Sequence, residues 1–451
     1  MFTPHTPQEV TEMLKAIGVN SIEDLFVQVP LNYRFPELDL PDPLSEIEIA
    51  SDLKEISSAN ASTEDFISFL GAGAYNHYIP AAVDMLLRRG EFYTAYTPYQ
   101  PEISQGTLQA VFEFQSLMTE LTGMDVSNAS HYDGATAAAE ATILAYHFFR
   151  GKKKKVVISR AVNPQYRETI RTYMQGFNNV VVTGDEESCK SGDELQDLIP
   201  LIDKDTAIVL VQYPDFFGRV IDYTNLVEKA HAVGALVAFI FNPTALGLLK
   251  PPGAFDADIA VGEGQPLGIP LSFGGPYLGI FTTKNRYVRK LAGRLVGETV
   301  DQDGKRAFVL TLTAREQHIR RERSTSNICT NQGLMALAAT VYLSLLGKEG
   351  FRQVANLCYQ KAHYAAQKIS ELNGFELTFS DTQFFHEFVV KTPQPVSQIN
   401  LRLQNHWILG GYDLSQDYPE MENHMLIAVT EKISKHDIDD FIAALEEVSG
   451  D

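Results

Sequence analysis

Three features of the sequence predict an α/β fold, a large and mostly parallel sheet domain followed by a smaller α+β domain. Between residues 125 and 283, six short apolar runs alternate with stretches of helical period, the order expected of a sheet covered by helices on both faces. At 451 residues the chain is too long for one hydrophobic core, so a second domain is expected. Hydrophobic residues make up 45% and charged residues 21%, a balance in which burial offsets chain entropy without disulfides or metals.

Residues 1–60 read as a helical extension. TPQEVTEMLKAIGV and SIEDLFVQVP predict two short helices around Gly18, and prolines punctuate LPDPL at 40–44. Such a segment buries little alone and is expected to wrap the main body or a neighbouring subunit. The large domain is assigned to 61–330. In it, Leu108, Val111, Phe112, Gln115, Met118 and Leu121 keep helical spacing over 104–123, and Gly123 closes that helix; these are core positions rather than ligands. The strands are VVIS from 156, NVVVT from 179, TAIVLVQ from 206, LVAFIF from 236, DIAVG from 258 and YLGIFTT from 277, with helices in TAAAEATILAYHFF and YTNLVEKAHAVG between them. Sheets of this kind take ligands beyond the carboxyl ends of their strands. Residues 331–451 are assigned to the smaller domain. They hold a helix near 350–372, the strand-like FELTF and FFHEFVV, a helix at 396–405 and the closing ISKHDIDDFIAALEEVSG.

A formal net charge of -20 argues against general affinity for nucleic acid or anionic membranes. No stretch approaches the length of a membrane span, and MFTPHTPQEV lacks the basic-then-apolar layout of a signal peptide, so the cytoplasm is the expected location. Cys189, Cys329 and Cys358 are odd in number and show no metal-binding spacing, which predicts free thiols and no structural metal.

Four stretches carry chemistry. In HYDGATAAAEA, Gly134, Ala135 and Thr136 stand where a strand turns into a helix, and free N–H groups at such a turn hold a phosphate or other anion; close helix packing on a sheet needs the same small residues. YTAYTPYQPEISQG is stiffened by proline and offers the hydroxyls of Tyr96 and Tyr99, either at a site or on a rigid surface loop. GAGAYNHYIP, with Tyr75, Asn76 and His77, has the same character. AREQHIRRERSTSNICTNQ gathers Arg315, Arg320, Arg321 and Arg323 before hydroxyl and amide residues. Arginine forks suit carboxylate and phosphate, although pairing with Glu316 and Glu322 is open as well.

FLGAGAYNHYIP, EFYTAYTPYQPEISQG, NASHYDGATAAAEA, DADIAVGEGQPLGIPLSFGGPYLG, GRLVGETVD and LTLTAREQHIRRERSTSNICTNQ together resemble the P-protein family of the glycine cleavage system, the glycine decarboxylases, and within it the amino-terminal subunit of the two-polypeptide form. The resemblance covers nearly the whole chain. It implies the fold of type I pyridoxal-phosphate enzymes, whose cofactor lysine lies in the loop after DIAVG and whose ring-pairing carboxylate lies at the end of LVAFIF. The matching residues here are Gln265 and Asn242. Gln265 has no amine for a Schiff base, and Asn242 has no charge to keep the ring an electron sink. Lys250 and Lys284, the nearby amines, lie before the DIAVG strand and after the next one.

The resemblance therefore implies that this chain has no autonomous catalytic residue. A homologous second subunit holds the pyridoxal phosphate, two copies of each chain assemble, and the pocket lies between the chains. It implies a glycine dehydrogenase (aminomethyl-transferring) activity, in which glycine loses CO2 and its aminomethyl group passes to the lipoyl arm of the H-protein. Tyr75, Asn76, Tyr96, Tyr99, Arg320 and Arg321 are the expected substrate or interface residues. Ser324, Thr325, Ser326 and Asn327 are expected to reach the partner's cofactor phosphate, and Gly134, Ala135 and Thr136 form a vestigial phosphate loop. The alternative is a catalytically dead scaffold or regulatory protein, which would be expected to show decay of these loops.

Overall fold

The computed structural model describes residues 4–185 and 193–450, which leaves Cys189 outside the described residues. Two compact units divide after residue 61.

The first unit contains helices Pro7–Ile17 and Glu46–Ser58. Thr6 and Glu9 form a reciprocal capping box, Pro7 opens the helix and Gly18 ends it at φ 87°. Ser45 and Glu48 cap the second helix in the same way. SIEDLFVQVP, expected as a helix, is only a 3-10 turn over Glu23–Phe26. The Asp24 carboxylate accepts from the Asn20 and Ser21 N–H groups, which fixes a turn, and Pro30 follows too soon for the helix to lengthen. None of residues 4–60 is buried, and Leu31 and Ile47 are 80% and 84% exposed. This unit therefore has no core of its own.

The second unit opens with a short strand, β1 (Ile67–Ser68), and then builds a seven-stranded sheet from β2 (Val126–Ser127), β3 (Lys155–Ile158), β4 (Val181–Thr183), β5 (Thr206–Tyr213), β6 (Leu236–Phe241), β7 (Ile259–Glu263) and β8 (Gly279–Thr283). The order is β2-β8-β7-β6-β5-β3-β4; β8 is antiparallel to both neighbours and every other pair is parallel. Strand alternation sends Ile208 and Leu210 to one face, against helices Gly134–Phe148 and Pro164–Met174. Val209 and Val211 go to the other, against helices Gln105–Thr122, Thr224–Ala232 and the start of Gly333–Ser370. Ala137, Ala138 and Ala141, all fully buried, let the first of these helices lie close to the strands. In helix Gln105–Thr122 the core side includes Phe114, which the spacing had not selected, while Val111, Phe112 and Leu121 are half-buried.

The span Gly333–Ser370 is two helices joined end to end at Gly347 (φ 59°, ψ -175°), the second of them the helix expected near 350–372. Among the described residues it alone is long and apolar enough to cross a membrane. Ala336, Ala339 and Tyr342 in its first half, and Ala362, Ala365 and Ile369 in its second, are instead core residues of the protein. The second half, with helices Val396–Leu403 and Lys435–Gly450, backs a four-stranded antiparallel sheet of β11 (Glu376–Leu377), β12 (Glu387–Lys391), β14 (Tyr412–Asp413) and β15 (His424–Ala428), in the order β11-β12-β15-β14. β13 (Ile408–Leu409) pairs in parallel with β1. β9 (Val296–Val300) and β10 (Arg306–Leu310) form a separate hairpin.

Candidate functional site

The loops that leave the carboxyl ends of β6 and β7 meet the turn into helix Gly134–Phe148 beyond the middle strands of the main sheet. Asn242, Gln265 and Gly134 sit on them. Gln265 is 1% exposed and fully engaged. Its Oε1 accepts from the Tyr75 N–H at 2.9 Å, and its Nε2 donates to the carbonyls of Tyr75 at 2.9 Å and Ile269 at 2.8 Å. The amide thus straps the GAGAYNHY segment to the loop. Asn242 Oδ1 accepts from Thr244 N at 2.9 Å, just ahead of a 3-10 turn, and Nδ2 lies 3.5 Å from His386 Nε2. Burial holds the His386 imidazole down at about 3, so it is neutral and brings no charge to Asn242.

Glu263, at the end of β7, faces the start of the helix. Its Oε2 accepts from Gly134 N at 3.0 Å, and its Oε1 from Gln265 N at 2.9 Å and Leu278 N at 3.1 Å. Burial raises its carboxyl to about 8, against the pull of those three N–H groups. Asp133 caps the helix through Thr136 N at 2.7 Å. The cleft left between Gly73, Tyr75, Asn163, Tyr166, Asn242 and Glu263 measures about 30 Å³, room for little more than a water. These residues do not fit pyridoxal phosphate: the amine, the ring-pairing charge, the free N–H of Gly134 and the space are all missing. Lys284 is held by Asp256 at 2.6 Å and by Asp258 at 3.5 Å, beside the opposite end of β7, and Lys250 lies over the Phe255 ring at 3.9 Å.

The predicted site residues fall into three networks. Tyr75 is 7% exposed and its hydroxyl donates to Glu387 Oε2 at 2.7 Å, while Glu387 Oε1 accepts from Ala72 N at 2.8 Å. Burial lifts the Glu387 carboxyl to about 7. The Asn76 carbonyl accepts from the Thr430 hydroxyl at 2.8 Å, and its side chain from Lys432 at 3.3 Å. His77 Nδ1 meets Glu431 at 2.6 Å and the Cys358 thiol donates to the same carboxylate at 3.3 Å. These hydrogen bonds account for the closeness of three side chains that otherwise have metal-ligand chemistry.

Tyr96 and Tyr99 stand elsewhere, 66% and 56% exposed, around a residue the sequence reading missed. Arg294 is 2% exposed; it donates to the Tyr99 hydroxyl at 3.3 Å, the Cys329 sulfur at 3.0 Å and the Thr330 hydroxyl at 3.3 Å, and pairs with the buried Glu316. Glu316 therefore serves Arg294 and not the neighbouring arginines. Arg315 donates instead to the carbonyls of Leu291 and Gly293. Partial burial works to raise the Cys329 thiol, but the Thr330 N–H, the Arg294 guanidinium and the Tyr96 hydroxyl outweigh it and leave it lowered. Beside Tyr96 opens an apolar cavity of about 200 Å³, walled by Phe92, Pro98, Val111, Leu334 and Leu337.

Arg320, Ser324, Thr325 and Ser326 line a third cleft with Arg289 and Lys290, two cations the sequence reading did not single out. Ser326 Oγ donates to the buried Glu140 at 2.7 Å, and burial raises that carboxyl to about 7. Arg321 and Asn327 are exposed at its margin in sequence, Arg321 at φ 54°.

The family model described as Glycine cleavage system P-protein matches residues 1–445. The chain belongs to that family. Proteins named probable glycine dehydrogenase (decarboxylating) subunit 1 are 52% identical in Thermomicrobium roseum, over all of both chains, and 52% identical in Geobacillus kaustophilus, over 98% of each. The crystal structure of an inhibitor-bound glycine decarboxylase (P-protein) of the glycine cleavage system shares 40% identity and superposes with a TM-score of 0.90, covering 99% of this chain and 100% of that one. A Lactobacillus brevis glutamate decarboxylase, 13% identical with a TM-score of 0.67 over 92% of this chain and 95% of its own, shares the fold alone. The fold is that of the type I pyridoxal-phosphate enzymes, as the P-protein resemblance implies.

Proposed function

We propose that this P-protein chain is the cofactor-free half of a glycine decarboxylase. With a homologous, lysine-bearing subunit it converts glycine to CO2 and an aminomethyl group carried by the lipoyl arm of the H-protein. The single observation behind this reading is Gln265: the family's frame is intact around a residue that cannot form a Schiff base and whose amide is saturated by three internal hydrogen bonds. Relatives more than half identical over nearly their full length are named as subunit 1, which supports a second subunit.

In this reading pyridoxal phosphate, held by the partner, supplies the electron sink. This chain supplies shape and hydrogen-bond donors. Arg294 fixes the Tyr99 phenol from behind at 3.3 Å, so a small polar substrate meets a hydroxyl whose ordering is already complete. Tyr96 stands at the mouth of the apolar cavity, whose walls exclude water from one side of the site. Tyr75 acts from beneath, buried against Glu387, and sets the loop that carries Asn76. Arg320 and Thr325 offer donors for a phosphate presented by the partner, while Ser324 and Ser326, whose hydroxyls donate to the Ser326 carbonyl and to Glu140, hold the cleft in shape, Arg321 and Asn327 extending that edge. The coreless unit 4–61 covers the partner with its exposed apolar residues, in an assembly of two copies of each chain in the cytoplasm. We place the boundary between the large and small parts of the second unit near Gly347 rather than at residue 330, because the helix before that break packs in the core of the large sheet and the helix after it backs the small one.

The test is a three-way assay of glycine-dependent CO2 release with lipoylated H-protein: this chain, the lysine-bearing homologue, and the two mixed. Activity only in the mixture supports the proposal. Full activity of the homologue alone, or of this chain alone, defeats it.

A further inference from the structure

A helix N-terminus presents N–H groups and a partial positive charge, and an anion is its natural ligand. At Gly134 this chain has such a cradle, shaped for close approach. A Cβ added there would lie 2.1 Å from the Tyr166 hydroxyl and 2.9 Å from Glu263 N, so only glycine fits. The acceptor that reaches the Gly134 N–H is not a ligand but the chain's own Glu263. Its other oxygen takes the N–H groups of Gln265 and Leu278, so three backbone segments converge on one carboxyl that is 9% exposed. Three backbone donors around a carboxyl, at a helix start, beyond the carboxyl ends of parallel strands, is the coordination that a bound phosphate or carboxylate would have.

We infer that the Glu263 carboxyl is a built-in occupant of this chain's own anion cradle, a side chain that fills the ligand's place and closes the site independently of the missing lysine. The inference rests on reading the chain as the cofactor-free half. Two further features agree with it. The Tyr166 ring fills the space above Gly134, and the cleft that remains is small, about 30 Å³. The closure also has a structural use. Glu263 joins the helix start to Gln265, and Gln265 joins Tyr75, so one chain of hydrogen bonds links the vestigial phosphate loop to the GAGAYNHY segment. Restoring a lysine at position 265 therefore leaves the cradle blocked and removes the strap.

Chemical rescue of full-length Glu263→Ala tests this, with formate as the probe. The void left by the substitution has the shape of a small carboxylate and keeps its three donors. The variant is expected to melt at a lower temperature than wild type. Formate at tens of millimolar should recover at least half of that loss in a saturable manner, against chloride at equal ionic strength. Wild type and Glu263→Gln, whose cradles stay filled, should respond to formate no more than to chloride. A folded Glu263→Ala chain that is indifferent to formate overturns the inference. If that variant does not fold, equilibrium dialysis of wild type against pyridoxal phosphate decides: no binding up to millimolar concentration is expected, and stoichiometric non-covalent binding at micromolar concentration overturns it. The half-site reading stands or falls separately, on the activity of the mixed subunits.

Discussion

Arg294→Met should cost about 3–5 kcal/mol of stability, because it strips a buried carboxylate of its cation. Arg294 and Glu316 are 2% and 5% exposed, and neither can recover water in the folded chain. After the substitution the Glu316 carboxylate keeps, among the described residues, only His318 Nδ1 within reach, at 3.5 Å. The Tyr99 hydroxyl, the Cys329 sulfur and the Thr330 hydroxyl lose a shared donor at the same time. Methionine fills most of the volume, so the loss is electrostatic rather than a cavity effect. If that is right, Arg294→Met/Glu316→Met should cost less than half as much as Arg294→Met alone, since removing both charges leaves none to desolvate. Urea unfolding of wild type, both single variants and the double variant gives the four free energies of the cycle. An Arg294→Met variant within about 1 kcal/mol of wild type, or a double variant as costly as the two singles added, would refute the buried-pair argument.

Gln265→Leu should destabilise the chain by about 2–4 kcal/mol, since it leaves the Tyr75 N–H and the Ile269 carbonyl without partners and takes one of two donors from the Tyr75 carbonyl, which keeps the His77 N–H at 3.1 Å; thermal and urea unfolding both read this. Tyr99→Phe keeps the packing and removes one hydroxyl, and should lower decarboxylation by the assembled complex roughly ten- to a hundred-fold with unchanged assembly and cofactor content; wild-type kinetics would make the loop structural. Glu140 is raised from its ordinary 4.5 to about 7 by burial, so its neutral form contributes stability that is complete below about pH 4.5 and lost as pH rises through 7. Glu140→Gln should therefore gain on wild type as pH rises from about 4.5 to about 7, on the order of 1 kcal/mol per pH unit, and level off above that; a pH-independent difference in urea midpoints would exclude that titration.

The parallel sheet was legible because strands buried on both faces read as apolar runs, as IVLV within β5 and LVAFIF in β6 do. Helix Glu46–Ser58 was missed, although its Ser45–Glu48 capping box is written in the sequence. The edge strand β11 falls within the strand-like FELTF, whereas the two-residue β14 leaves no periodic signal. At the site, Gln265 and Asn242 stood out only because a family pattern gave their positions a meaning. Glu263, two residues before Gln265, reads in sequence as the polar end of a strand, and its role depends on Gly134, 129 positions away. Arg294 and Glu316 are distant in sequence and meet only through the fold. A lone arginine within the apolar LAGRLVG was the one local sign of a buried cation.

Borohydride reduction of the assembled complex with pyridoxal phosphate, followed by peptide mapping, addresses most directly the claim that this chain holds no cofactor. Gln265 lacks an amine, and Lys250 and Lys284 are engaged with the Phe255 ring and with Asp256 and Asp258. The pyridoxyl group should therefore appear stoichiometrically on a lysine of the homologous subunit and on no lysine of this one. A stoichiometric pyridoxyl adduct on Lys250 or Lys284, accompanied by glycine decarboxylation without the homologue, would show instead that this chain is an enzyme in its own right.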